Sequence, residues 1–230
     1  MTNIFTFWEG HMPAYIMLCM RTWKFPFTVL NYRNLNKYTD LQVDDKLKRF
    51  SLSQVADAVR VHVLRDQGGY WLDADTIMVT GKLPKENTIG YPERRVHTAG
   101  YLYAEKPGMD LYADWAKYQD GVIEDPHSST DWSVMVNAFS DPYIQEHPEV
   151  TICPVERSWP ELFMLDGNEN RYSKYRRFYF DCSYYLEDIK PTDMIMLHNS
   201  WTPRWYKNLP VDNVLEYDCT LSNFLREQYE

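Results

Sequence analysis

Gly68-Gly69-Tyr70-Trp71-Leu72-Asp73-Ala74-Asp75-Thr76-Ile77-Met78-Val79 is the stretch on which the fold turns. Its apolar run, Tyr70-Trp71-Leu72, reads as a buried strand. Two glycines precede it, two acids stand at its exit, and residues 76–79 read as a short continuation. Upstream, Ser51-Leu52-Ser53-Gln54 has the Ser-x-x-Gln form of a capping box, and Val55, Val59 and Val63 recur every four residues until the glycines stop the run. That pattern predicts a helix of about four turns on which Asp57 and Arg60, three apart, share a face. A helix, then a buried strand with acids at its carboxyl end, is how open α/β sheets present ligands.

Further out, Ile4-Phe5-Thr6-Phe7-Trp8 reads as a strand closed by Glu9-Gly10. Residues 12–23 carry Ile16, Met20 and Trp23 at helical spacing, and Phe27-Thr28-Val29-Leu30 follows Pro26 as a second strand. The unit reads β-α-β, which implies a parallel pair. Residues 34–50 read as loop or short helices. Beyond the acids, strands are expected at 101–103 and 150–155 and a helix at 109–118. Residues 121–130 read as turns, followed by a helix over 131–139 with Asp131 near its start as a cap or an acceptor contact. Residues 166–185 show no period. Met194-Ile195-Met196-Leu197 is a strand running into His198-Asn199-Ser200-Trp201. No repeat, low-complexity tract or linker divides the chain. One α/β domain with a mixed, mainly parallel sheet flanked by helices is the expectation.

Composition narrows the function. The 230 residues allow a continuous core without disulfide or metal support. Aromatic residues make up 16%, a surplus suited to sugar rings and nucleobases as well as to a core. The formal charge of −9 argues against a nucleic-acid binder, since tight basic groups such as Arg94-Arg95 and Arg176-Arg177 are short and scattered. A bound cation would reconcile that charge with a phosphate ligand. Cys19, Cys153, Cys182 and Cys219 are scattered without a CxxC pair, so a zinc site is not expected. The low cysteine count, the polar start Met1-Thr2-Asn3 and the absence of a long apolar run point to a soluble cytoplasmic protein without a transmembrane segment.

An Asp-x-Asp pair says little alone, because 19 aspartates in this chain produce about 1.5 such pairs by chance. Setting gives it meaning. Neighbouring residues of an extended strand alternate faces, so Asp73 and Asp75 act together only if the backbone turns at Ala74. One carboxylate would then reach a hard divalent cation, Mn²⁺ or Mg²⁺, while the other meets a metal-bound water or a ribose. A solvated turn with surface acids is the alternative.

The run Asp57-Ala58-Val59-Arg60 followed by Leu64-Arg65-Asp66-Gln67-Gly68-Gly69-Tyr70-Trp71-Leu72-Asp73-Ala74-Asp75 resembles the sugar-binding region of the DXD glycosyltransferases. These include the yeast initiating α-mannosyltransferase type, the capsular polysaccharide transferases and the glucosylating clostridial toxins. Phe7-Trp8-Glu9-Gly10, Ala104-Glu105-Lys106-Pro107-Gly108 and His198-Asn199-Ser200-Trp201 extend the resemblance to about half the chain.

It implies a GT-A, Rossmann-like fold, a nucleotide-sugar donor with UDP-sugar favoured, a glycan acceptor, and transfer with retention. By residue it implies that Trp8 stacks near the base, Asp57 accepts from sugar hydroxyls and Arg60 contacts the donor's sugar or phosphate. Asp75 would ligate the metal, Asp73 the ribose or a metal-bound water. His198 would be a third metal or diphosphate contact, and Ser200 and Trp201 would face the leaving phosphates. Residues 1–80 would form the donor half and 81–230 the acceptor half with a closing C-terminal segment. Rival readings from the same residues are a metal-dependent nucleotide-sugar hydrolase and a non-catalytic carbohydrate-binding protein.

Overall fold

The computed structural model describes residues 3–189 and 192–229, so Met1 and Thr2 lie outside the described residues. Backbone packing divides the chain into two compact units. Unit 1 comprises the chain up to Gly10, Pro26–Asp73 and Lys85–Cys153; unit 2 comprises His11–Phe25, Ala74–Pro84 and the chain from Pro154 onward. The two interleave along the sequence, so no linker sets one apart.

Unit 1 is built on a six-stranded sheet of order β2-β1-β3-β6-β5-β7. The strands are β1 (Ile4–Phe7), β2 (Thr28–Leu30), β3 (Gly69–Leu72), β5 (Thr88–Tyr91), β6 (Val96–Ala104) and β7 (Ile152–Pro154). As expected from β-α-β, β1 pairs in parallel with β2, and it also pairs in parallel with β3. On its other side β3 meets β6 antiparallel, and β6 meets β5 antiparallel with an irregularity at Thr88/Ile89. The sheet is therefore mixed, parallel on the side that begins the chain.

The helix Leu52–Gln67 forms where its signals place it. Both bonds of the capping box are present, Gln54 N–H to Ser51 Oγ at 3.4 Å and Ser51 N–H to Gln54 Oε1 at 3.1 Å. Gly68 closes it with φ +62. Gly69 is required by a close approach: its φ is +90, and a Cβ there would lie 2.4 Å from Asn3 O, which accepts the Tyr70 N–H at 2.8 Å. Val55, Ala58, Val59 and Val63 join Phe5, Trp71, Leu102 and Trp115 in one buried cluster, which pins the helix to β1, β3 and β6. With the helices Asp110–Glu124 and Asn137–Glu146 also in this unit, the central sheet is flanked by helices. This is the mixed α/β architecture expected from the sequence.

Unit 2 contains a two-stranded sheet in which β4 (Thr76–Met78) pairs antiparallel with β8 (Met194–Met196). The short continuation expected after Asp75 is thus a strand of a different sheet, because the chain turns at Ala74-Asp75. The crossover helix between β1 and β2, Ala14–Arg21, also belongs here and packs on β4 and the helices Val211–Glu216 and Thr220–Tyr229. Much of the aromatic surplus fills this core, with Tyr15, Tyr175, Tyr179, Tyr206 and Phe224 fully buried.

Other expectations move. The helix Asp110–Glu124 extends into the start of the stretch read as turns, while 125–130 are turn and loop as expected. The helix expected over 131–139 starts at Asn137 with Val136 in the cap position, leaving Asp131 exposed and capping nothing. Residues 166–185 contain a helix, Arg171–Arg176, continued by a π-turn over Arg177–Asp181. Among the described residues, no helix is long and apolar enough to cross a membrane.

Candidate functional site

In unit 1 the carboxyl ends of parallel strands β1 and β3 share one sheet edge, since Phe5 pairs with Trp71. Trp8 and Asp73, each one residue past its strand, stand at that edge. Behind it, one turn of the helix Leu52–Gln67 presents Asp57 and Arg60. Arg60 Nη2 bonds Asp57 Oδ1 at 2.9 Å and Asp73 Oδ1 at 3.2 Å. Its Nη1 donates to Ala99 O, its Nε to Ala56 O at 3.4 Å, and its guanidinium lies 5.3 Å from the Trp71 ring centre. Trp71 Nε1 also donates to Asp73 Oδ1, at 2.8 Å, which leaves Oδ2 for a ligand.

Arg60 is therefore turned inward. At 6% exposure it gives its N–H groups to protein oxygens, so its geometry is that of a clamp on two carboxylates rather than of a donor contact. Burial pushes the Asp57 carboxyl up to about 6, against the pull of Arg60 and with a further push from Asp73.

In unit 2, the antiparallel pairing of β4 with β8 sets Thr76 opposite Met196 and so brings Asp75 to the segment that follows β8. Leu197 N–H donates to Asp75 O at 3.2 Å and Asn199 N–H to Asp75 Oδ2 at 2.7 Å, across 124 residues of sequence. Asn199 Oδ1 in turn accepts from Tyr15 OH at 2.6 Å. Asp75 itself is buried, at 8% exposure. Burial and then the Asp75 charge hold the Tyr15 hydroxyl far above its ordinary range, so it remains a donor.

His198 and Trp201 stack with ring centres 4.0 Å apart, and Trp201 N–H closes a turn on His198 O at 2.9 Å. Ser200 is exposed in that turn. His198 Nε2 accepts from Arg171 Nη2 at 2.8 Å. Burial, then Arg171, lowers the imidazole to about 3, so it is neutral.

The structure thus gathers the sequence-derived residues into two sets. Trp8, Asp57, Arg60 and Asp73 lie in unit 1; Asp75, His198, Ser200 and Trp201 lie in unit 2. Sequence reasoning missed Asn199, Tyr15 and Arg171, whose places depend on pairings far apart in the chain.

Oxygen donors suit a hard cation that keeps waters and takes phosphate oxygens, and Asp75 offers such a carboxylate held by a backbone N–H. Among the described residues no three His, Cys, Asp or Glu side chains converge to hold a metal unaided. The His198 Nε2 lone pair is engaged by Arg171, so the third contact expected of it is not preformed.

The model of one protein family, described as capsular polysaccharide synthesis protein, matches residues 1–151. No curated protein matches the chain. Among solved structures, the crystal structure of an active-site mutant of LgtC is 10% identical, with 92% of this chain and 99% of that chain covered and a TM-score of 0.43. A TM-score this low sets no fold by itself, and the architecture stands on the sheet order and registers above. The matched residues include the helix Leu52–Gln67, β3 and both acids, the segment on which the resemblance to capsular polysaccharide transferases rests. On a match that spans more than half of its length, the chain belongs to the capsular polysaccharide synthesis protein family.

Proposed function

We propose that the chain is a glycosyltransferase of GT-A type that moves a sugar from a nucleoside-diphosphate donor, with a UDP-sugar favoured, to a hydroxyl of a glycan acceptor with retention. The observation that supports this most is the Arg60 clamp. It fixes Asp57 and Asp73 at the carboxyl edge of the parallel strands, where open α/β sheets take their ligands.

In this reading Asp57 accepts hydrogen bonds from sugar hydroxyls, Asp73 takes the ribose or a cation-bound water through Oδ2, and Trp8 stacks near the base. Arg60 positions both acids. Asp75, oriented by Asn199, would hold Mn²⁺ or Mg²⁺, which when bound would offset the charge of the diphosphate. Ser200 and Trp201 face the leaving phosphates. Residues 1–80 serve the donor and 81–230 the acceptor, apart from a closing C-terminal segment that carries Ser200 and Trp201 to the donor's phosphates.

A thermal-shift screen of UDP- and GDP-sugars with and without Mn²⁺ tests this. One donor should raise the melting temperature of the wild type only with the metal present, and Asp75→Ala should lose that shift. If no nucleotide sugar shifts the wild type, or the shift survives Asp75→Ala unchanged, the reading fails. Rapid release of free sugar without an acceptor would instead mark a hydrolase.

A further inference from the structure

In unit 1, Trp132 is 78% exposed, more than any other large apolar side chain among the described residues. Other exposed rings lie against neighbours. Trp205 packs on Tyr217 with ring centres 4.9 Å apart, Tyr172 meets Trp201 edge-on at 6.0 Å, and Tyr229 lies under the Arg21 guanidinium at 5.8 Å. Among the described residues no ring or guanidinium packs on Trp132.

A lone exposed indole is ordinary. What sets this one apart is its attachment. It stands in a turn that Val134 N–H closes on Asp131 O at 3.0 Å. On one side of the turn, Gln54 Nε2 donates to Thr130 O at 3.1 Å and to Asp131 O at 2.9 Å. On the other, Met135 O accepts from Trp115 Nε1 at 3.0 Å and from Gln119 Nε2 at 2.6 Å. The same Gln119 amide donates to Asp57 O at 3.1 Å. One buried nitrogen thus ties this segment to the backbone of Asp57 itself.

The helix Leu52–Gln67 fixes the direction. Gly68 turns it straight into β3, so its first turn lies toward the carboxyl edge of β3, and Arg60, halfway along, bonds Asp73 there. At about 1.5 Å of rise per residue, Gln54 lies about 9 Å beyond Arg60 along the helix axis, outward from that edge. The turn that Gln54 holds therefore stands past the acids, where the outer part of a ligand seated on them would extend.

An indole offers a broad apolar face with an N–H at its rim, and it is fixed by two torsions. A pyranose ring matches it, with C–H groups on a face and hydroxyls around the edge. Ser129, Thr130 and Asp131, beside Trp132 in sequence, are exposed and polar, which suits those hydroxyls. The Asp131 carboxylate would repel an anionic sugar, so the matching ring is neutral.

We propose that Trp132 is the platform of an acceptor subsite, its indole stacking on a neutral pyranose ring of the acceptor glycan while the Asp131 carboxylate accepts from that ring's hydroxyls. The assignment rests on the glycosyltransferase reading above and adds to it the surface that holds the acceptor.

The test applies the full chain, as wild type, Trp132→Ala and Trp132→Tyr, to a printed panel of neutral and acidic oligosaccharides, and titrates each separately with UDP and GDP in the presence of Mn²⁺. The wild type should retain neutral glycans. Trp132→Ala should bind them about 10-fold or more weakly, as truncation of an aromatic anchor does, and Trp132→Tyr, which keeps a ring, should fall between. Nucleotide binding should change less than about twofold. A wild type that retains no glycan, or acidic glycans only, overturns the assignment, as does glycan binding at full strength in Trp132→Ala. So does an equal loss for glycan and nucleotide, which would make the indole a support of the fold or a donor contact. Self-association that Trp132→Ala abolishes while glycan binding stays intact would give the indole to a second copy of the chain, and overturns it too. Should Trp132→Ala fail to fold, Trp132→Tyr decides by the same ratio. A wild type that binds glycans but neither nucleotide refutes the transferase reading and the acceptor role with it; one that binds a nucleotide but no glycan refutes this assignment alone.

Discussion

Asp57→Asn is the most discriminating single change, because the structure predicts a pH signature as well as a functional loss. Burial raises the Asp57 carboxyl from 3.8 to about 6, so between those values the folded state binds a proton that the unfolded chain has released. The stability contributed is fully present below the unfolded value and is lost as pH rises through about 6. A shift of about two units at 1.36 kcal/mol each puts the ceiling near 3 kcal/mol. Asparagine does not titrate, so it should remove this loss. The value near 6 is already net of the pull of Arg60. Asp57→Asn should therefore be about as stable as wild type near pH 4 and more stable by up to ~3 kcal/mol at pH 7.

The assay is urea unfolding followed by tryptophan fluorescence at pH 4, 5, 6 and 7, read as the difference between wild type and variant so that other titrating groups drop out. The wild type should lose stability relative to Asp57→Asn across that range. Parallel curves would refute the placement of Asp57 in a low-dielectric pocket against Arg60. Donor affinity provides the second readout: it should rise through pH 6 in the wild type, as the carboxylate forms, and stay low at every pH in the variant.

His97 is buried between Thr88 Oγ1 at 3.2 Å and Ser140 Oγ at 2.5 Å and is lowered to about 4 by burial; a depressed histidine costs stability as pH falls from 6.5 toward 4. His97→Gln should therefore remove about 3 kcal/mol of acid sensitivity in the same unfolding assay, and an unchanged slope would count against it. Gly69→Ala drives a Cβ toward Asn3 O at a φ that alanine avoids, so it should lower stability by about 2 kcal/mol or more, measured as a reduced urea midpoint. Asp75→Asn keeps an acceptor for the Asn199 N–H and should fold within about 1 kcal/mol of wild type, whereas Asp75→Ala orphans that donor and should cost about 1–3 kcal/mol. Both should abolish the Mn²⁺-dependent nucleotide shift, and a shift retained in Asp75→Asn would remove the carboxylate charge from the account.

What the sequence disclosed and what it hid divide along the range of the forces involved. The helix Leu52–Gln67 was legible because its cap, its valine spacing and its glycine stop are all written within a few residues, and a buried strand after two glycines has few other readings. Asp57 and Arg60 could be placed on one face, but helical spacing does not say which face meets the core. The packing against Ala99 and Trp71 turned Arg60 inward.

The fate of residues 76–78 was less accessible still. As an isolated apolar run they continue β3, and only their pairing with Met194–Met196 makes them a strand of another sheet. That same pairing carries Asn199 to Asp75 and sets the surroundings in which Arg171 lies on Trp159. Neither has a local signature, since a lone arginine in an aperiodic stretch looks like surface. The Asp-x-Asp pair shows the division most sharply. Its two acids are neighbours in sequence, yet the turn at Ala74 hands Asp73 to a helix of unit 1 and Asp75 to a loop of unit 2, so their partners differ completely. The spacing of the two acids thus reflects a chain passing from one unit to the next. It also predicts that substitutions at Asp73 and Asp75 will fail differently, the first through Arg60 and Trp71, the second through Asn199 and the cation.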